Sequence, residues 1–247
     1  MKNSASPAAP RLFTPVALTL GAELRLPDRA AHHVSVLRLR RGDSIILFNG
    51  HGGEFTAELA RVSAGQAWAR VLTGRSPVRE SPLSVALAQC VSSGDRMDTT
   101  LQKSTELGVS RIIPIASERS VVKLSGDRAA RRVAHWRNVV IAACEQCGRN
   151  LVPEVAGITD IEAFLDGQGP RGLRLLLAPE AGQILSRLPR PQEVALLVGP
   201  EGGLTDRERA YAERAGYVPV RFGPRVLRTE TAPLAAIAAM QTLWGDC

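Results

Sequence analysis

Two short glycine-bearing stretches hold most of the chain's chemistry: Leu197–Thr205 reads LVGPEGGLT and Phe222–Ala232 reads FGPRVLRTETA. Each closes an apolar run, Val194–Val198 and Tyr217–Phe222. Gly199, Gly202 and Gly203 carry no Cβ, so the main chain there can take positive φ and lie directly against a ligand. Glu201 and Glu230 can accept a proton, and Arg225 and Arg228 can stabilise negative charge as it develops. A carboxylate-bearing turn beside an arginine-rich one suits a ligand with a cationic and an anionic end. S-adenosylmethionine, with its sulfonium, amino and carboxylate groups, is one such ligand. Phosphate motifs do not fit. GPEGGLT lacks the lysine and the spacing of a Walker A loop, and Glu201 would repel phosphate. Gly167–Gly172 does spell GxGxxG, but it precedes the run Leu173–Leu177 instead of following a strand, so it reads as a helix-to-strand loop.

Such turns make one site only where strands deliver them to a common edge. In an open parallel sheet that edge lies outside the carboxyl ends of the strands. From Leu83 onward, strand candidates fall at Ser84–Val91, Arg111–Ala116, Leu173–Leu177, Val194–Val198 and Tyr217–Phe222. They alternate with helical stretches at Met97–Leu107, Asp127–Gln146, Asp206–Ala215 and Ala232–Leu243. Unbroken apolar strands between helices imply an α/β domain whose parallel sheet is covered on both faces. Ala232–Leu243 is almost uniformly apolar, which predicts burial in a core or an interface. The residues before Gly74 have another texture. Short alternations at Ser44–Phe48, Glu54–Leu59 and Ala67–Leu72, with turn clusters at Arg41–Asp43 and Asn49–Gly53, predict a small β-barrel. Gly74–Pro82, punctuated by proline, reads as a linker.

Composition narrows the function classes. Hydrophobic content of 45% and charged content of 22% are those of an ordinary globular protein. The net charge of +7 fits a nucleic-acid partner, and most of the excess is arginine, which forks onto phosphate and stacks on bases. With only 4% aromatic residues, extensive base stacking on aromatic platforms is not expected. No apolar run approaches the ~20 residues that cross a bilayer. Met1–Pro10 lacks the apolar segment of a signal peptide and reads as a disordered leader. The cysteines at 90, 144, 147 and 247 are too few and scattered for a disulfide framework, which favours a reducing cytoplasm.

Other clusters are weaker candidates. Cys144-x-x-Cys147 has no second CxxC or HxxxH to complete a zinc site, and it closes a helical stretch where a redox pair would open one. Metal-free packing is the expectation. Without a GxSxG elbow, His32, His33, His51 and His135 do not build a serine triad. Arg38, Arg40 and Arg41 form one basic run and Arg128, Arg131, Arg132 and Arg137 another, either of which can track phosphate or simply face solvent. Gly148 and Arg149 can serve as an ordinary helix end or lie near a reaction pocket.

Taken in order, LVGPEGGLTDRE and FGPRVLRTETAPLAAI resemble the cofactor-binding end of SPOUT-class methyltransferases. Within that class the chain resembles the RsmE family, which methylates N3 of a uridine in small-subunit ribosomal RNA. Further matching stretches are Met97–Gly108 (MDTTLQKSTELG), Ser117–Ser120 (SERS), Cys144–Arg149 (CEQCGR) and His32–Arg38 followed by Gly42-Asp43. Together they span Arg11 to Asp246. The resemblance implies a disordered leader at 1–10, a PUA-like RNA-binding barrel at 11–76 and a SPOUT domain with a trefoil knot at 83–247. It implies a homodimer with the cofactor site beside the interface and 16S ribosomal RNA as substrate; with the readings above, the expectation is a cytoplasmic protein with no metal or membrane partner. S-adenosylmethionine would lie against Val198, Gly199, Pro200, Glu201, Gly202 and Gly203. Phe222, Gly223, Val226, Leu227, Arg228, Thr231 and Ala232 form the second wall, and the strand end Leu177-Ala178 the third. Arg228 would stabilise a uracil oxygen, with Glu230 or Glu201 taking the proton. Arg11, His32, Arg38 and Arg149 would contact RNA. The rival readings are methylation of another RNA or base atom, or an RNA-binding protein without activity.

Overall fold

The structure, a computed structural model, describes residues 9–120, 125–167 and 172–247. The chain divides into two compact units. The leader expected at 1–10 lies outside the described residues except for Ala9 and Pro10, and the Pro10 carbonyl accepts from Ile46 N at 2.8 Å.

The first unit comprises residues up to Arg79 together with Cys144–Val152. Its elements are β1 (Arg11–Phe13), β2 (Glu23–Arg25), α1 (Asp28–Val36), β3 (Ser44–Phe48), β4 (Glu54–Ser63) and β5 (Gln66–Arg75). The five strands form one sheet in the order β1-β3-β4-β5-β2. Alternation works as expected. Ile45 and Leu47, Ala57 and Leu59, and Ala67, Ala69 and Val71 are fully buried with Leu12 and Val34, while Glu58, Arg70 and Leu72 point outward. The stretch read as a linker begins inside β5. Gly74 pairs with Phe55, and a Cβ on it would come 2.9 Å from the Phe55 ring, so the glycine serves close packing.

Glu54 is the unexpected element of this unit. Its side chain is 1% exposed and bound by Arg11, by Arg75 Nε at 2.7 Å and by Arg79 Nη1 at 2.9 Å. Burial alone would raise its carboxyl. The Arg11 hydrogen bond, the Arg11 and Arg79 charges and the Arg75 hydrogen bond outweigh that and hold it below the usual carboxylate range.

The second unit contains β6 (Ser84–Cys90), α2 (Asp95–Glu106), β7 (Arg111–Ala116), α3 (Gly126–Cys147, whose last turn belongs to the first unit), β8 (Glu154–Val155) and β9 (Thr159–Asp160). Then follow α4 (Ile161–Asp166), β10 (Leu173–Leu177), β11 (Glu193–Val198), α5 (Asp206–Arg214), β12 (Val218–Val220) and α6 (Thr231–Trp244). The sheet runs β12-β10-β11-β6-β7-β8, with β9 also on β7, and every pairing is parallel. β6 and β11 are buried along nearly their whole length, as strands covered on both faces must be. The chain leaves β6 toward β7 and leaves β11 toward β12, on the opposite side. Adjacent strands with diverging exits open a crevice at their carboxyl ends. Among the described residues, no helix is long and apolar enough to cross a membrane.

Candidate active site

A cavity of about 620 Å³ occupies that crevice, within the size range of small-molecule sites. Its walls are Leu176–Glu180 at the end of β10, Val198–Leu204 at the end of β11, and Val220, Phe222, Arg225–Glu230 and Ala232 at the end of β12 and in the segment that follows it. Arg96, Arg119 and Arg209 complete it.

The first glycine turn is shaped by three different needs. Gly203 alone of the three glycines stands in the left-handed region, at φ 68°, and its N–H closes the turn onto Pro200 O at 2.9 Å. A Cβ on Gly199 would come 3.2 Å from Leu204 N, which is a packing constraint. Gly202, for which positive φ was also expected, lies outside that region. Its constraint is Arg119, whose Cβ stands 3.4 Å from where a Gly202 Cβ would be and whose Nη1 donates to Gly202 O at 3.0 Å. Thr205 and Glu208 then form a capping box that starts α5 immediately after the turn.

Two further ties fix the turn. Thr229, 8% exposed, donates to Gly199 O at 2.8 Å and accepts from Gln89 Nε2 at 3.2 Å, joining the second loop to the first and to β6. Glu201 Oε1 accepts Ser93 N, Ser93 Oγ and Arg96 Nη1, each at 2.9 Å. Burial pushes the Glu201 carboxyl up, but the Ser93 N–H, its own N–H, Arg96 and the Ser93 hydroxyl bring it below the usual range. A carboxylate so engaged stays ionised and has little capacity to take a proton. Glu230 stands at the N-cap position of α6 without a side-chain capping bond, and its Oε2 is buried with no hydrogen-bond partner among the described residues. Arg96 Nε is 3.9 Å from it. Arg228 is exposed on the cavity wall, and its carbonyl receives the N–H groups of Thr231 and Ala232 at 2.9 Å.

The structure therefore gathers Leu177, Ala178, Val198 to Gly203, Phe222, Val226, Leu227, Arg228, Glu230 and Ala232 around one cavity. Gly223 and Thr231 do not line it. Gly223, at φ 69°, lines an adjoining apolar groove with Ile184, Leu185, Leu227, Ala235, Ala239 and Leu243, and Thr231 is exposed where α6 begins. Sequence reasoning missed Arg96, Arg119, Glu180, Arg209 and Thr229. Ser92-Ser-Gly-Asp95 after β6, a glycine-bearing turn closing an apolar strand like the other two, is the signal that would have led to Arg96.

The residues expected to touch RNA divide into two kinds. His32 and Arg38 are exposed in the first unit. Arg149 is 6% exposed, and the Arg11 side chain, 11% exposed, is turned onto Glu54 and onto Asn150 Oδ1 at 2.6 Å. Arg11 is thus internal to the unit's ion-pair network, and Arg149 is buried beside it, its carbonyl accepting from Arg11 Nη2 at 3.2 Å. Cys144 is buried and Cys147 partly so, one helical turn apart on α3.

A family model for an RNA methyltransferase domain matches residues 79–241, and one for an RNA methyltransferase PUA domain matches 26–72. The chain is 32% identical to the ribosomal RNA small subunit methyltransferase E of Buchnera aphidicola, over 96% of this chain and 97% of that one. The crystal structure of a ribosomal RNA small subunit methyltransferase E from Neisseria gonorrhoeae bound to S-adenosyl methionine superposes with a TM-score of 0.90 at 46% identity, covering 96% of this chain and 99% of that one. A putative methyltransferase from Legionella pneumophila in complex with the same cofactor superposes with a TM-score of 0.94 at 40% identity, covering 97% and 99%.

Proposed function

The chain belongs to the ribosomal RNA small subunit methyltransferase E family, and from that premise we propose that it is an S-adenosylmethionine-dependent enzyme methylating N3 of a uridine in 16S ribosomal RNA. The observation that carries the reading is the crevice cavity itself, walled by main chain from two glycine turns and bordered by both carboxylates and guanidinium groups. The cavity fits this cofactor on its own terms. Gly203 lines it with open space where a Cβ would stand, so the main chain can lie directly against the ligand there. Val198–Gly203, Leu177-Ala178 and Val226–Leu227 would hold the cofactor, which when bound supplies a methyl group already activated as an electrophile.

The chain's own residues then have three tasks. The glycine turns orient donor and acceptor in line, which supplies most of what an activated methyl needs. A carboxylate takes the N3 proton, because uracil N3 is a poor nucleophile while it is protonated. Arg228 stabilises the negative charge that spreads to a uracil carbonyl.

The first unit supplies RNA contacts through its exposed residues, His32 and Arg38. Arg38 stands at φ 56° just past the end of α1, where glycine is the less strained choice. Backbone economy does not explain an arginine there, which leaves its exposed guanidinium as the feature to account for. Homodimerisation belongs to the same proposal. Leu234, Ala235, Ala238, Ala239 and Leu243 leave an incompletely buried apolar face on α6, and a second copy would cover it. The trefoil threading that the family resemblance implies belongs to it too. A cytoplasmic location follows from the substrate.

The test is to digest 16S RNA from a deletion strain and quantify N3-methyluridine. Loss of that nucleoside, restored by the cloned chain, is expected. Unchanged N3-methyluridine overturns the substrate assignment, and no saturable heat with S-adenosylmethionine in calorimetry would leave a binding protein.

A further inference from the structure

We infer that Glu230 receives the N3 proton of the uridine and that Glu201, through Arg96, positions it; the inference rests on the function proposed above. Three carboxylates line the cavity and differ in what they can still accept. Glu180 is ion-paired with Arg209. Glu201 Oε1 already accepts from the Ser93 N–H, the Ser93 hydroxyl and Arg96, which hold the group as an anion. Among the described residues, Glu230 has no hydrogen-bond donor on Oε2, does not cap α6, and has its ion-pair partner, Arg96 Nε, at 3.9 Å, beyond hydrogen-bond range. A buried oxygen left in that state is costly until a ligand brings it an N–H.

Arg96 spans the two acids. Its Nη1 is bound to Glu201 at 2.9 Å and to Ser93 Oγ at 3.3 Å, while Nε faces Glu230. The other cations on this cavity are Arg225 and Arg228, from Glu230's own segment, and Arg119 and Arg209. In the step, the N3–H bond breaks and an O–H bond forms on Glu230. The electron pair stays on N3 and closes the new N3–C bond as the methyl leaves the sulfonium, whose S–C pair remains on sulfur. Glu230 then passes the proton to water.

The test is single-turnover methylation of small-subunit RNA across pH, with N3-methyluridine measured in digests and cofactor affinity by calorimetry. Glu230→Gln should slow turnover at neutral pH about a hundredfold or more, the usual range for a removed general base. Cofactor Kd should stay within about twofold, as for a group acting in the transition state only. Its rate should rise with unit slope into the alkaline range, because only uridine already ionised in solution can then react. Formate should restore turnover to Glu230→Ala. Glu201→Gln and Arg96→Gln should lower kcat without that alkaline slope, and Arg96→Lys should recover most of it.

The assignment is overturned if Glu230→Gln turns over within about threefold of the unaltered chain. It is equally overturned if the variant loses cofactor affinity in step with rate, or if the alkaline slope arises in Glu201→Gln instead. Unaltered protein that forms no N3-methyluridine overturns the parent function, an outcome read separately in the same digests.

Discussion

Replacing Thr229 with valine keeps the side chain's shape and deletes the hydroxyl that ties the two glycine turns together. In the native protein that hydroxyl donates to Gly199 O at 2.8 Å and accepts from Gln89 Nε2 at 3.2 Å. Gln89 Nε2 keeps its second partner, Cys90 O at 3.0 Å, so the group left unpaired is the Gly199 carbonyl. Stranding a partly buried carbonyl costs about 1–3 kcal/mol. If the tie acts mainly by holding the turn in its ligand-ready shape, the cost falls on binding, and the cofactor Kd should rise about tenfold for each 1.4 kcal/mol. If it acts on the fold, the melting temperature should fall by roughly 2–4 °C per kcal/mol for a chain of this size. Calorimetry with S-adenosylmethionine and a thermal melt of the same sample separate the two, and Thr229→Ser, which keeps the hydroxyl, should behave as native. A valine variant with native Kd and a lowered melting temperature would refute preorganisation of the turn through Thr229 and leave it a fold residue.

Arg228→Ala should lower turnover roughly a hundredfold, about 3 kcal/mol, the cost of removing a donor aimed at developing charge. Cofactor affinity should hardly change, and an equal loss of thermal stability and rate would instead place the arginine in the fold. Glu54→Gln should destabilise the protein by about 3 kcal/mol at neutral pH, because three arginines lose a buried partner. It should also flatten the acid limb of the stability curve. Glu54 has a depressed folded pKa, so its contribution is present above the unfolded value near 4.5 and is lost as pH falls through the folded value. Chemical denaturation of native and Glu54→Gln protein between neutral pH and acid checks both, and parallel acid limbs would disprove the assignment.

How far the site could be read from sequence depends on which kind of atom does the holding. Main-chain contacts are written locally. Glycine shortly after an apolar strand already implies a turn, and β11, β12 and β6 are each followed by a glycine-bearing one. Side-chain contacts depend on sheet order. Arg96 reaches Glu201 only because β6, not a sequence neighbour, lies next to β11, and nothing in the spacing of 96 and 201 states that. The same limit explains Arg11 and Arg149. Read as surface cations they suggest RNA contact, but one buried acid, Glu54, draws Arg11 inward, and Arg149 is buried in the same unit. Glu54 opens a strand and looks in sequence like any polar strand residue.

The two acids of the cavity show why residue type alone could not assign the chemistry. Glu201 sits in the middle of the most recognisable motif and Glu230 in the second, so both looked equally suited to accept a proton. What separates them is the number of donors each already serves. Three donors converge on Glu201 Oε1, whereas Glu230 Oε2 has none. A carboxylate engaged by donors is stabilised as the anion and loses basicity, while a carboxylate oxygen without a hydrogen bond keeps an acceptor open for a ligand. In this site the conspicuous acid therefore serves as the support for Arg96, and the acid at the head of α6 is the one free to react.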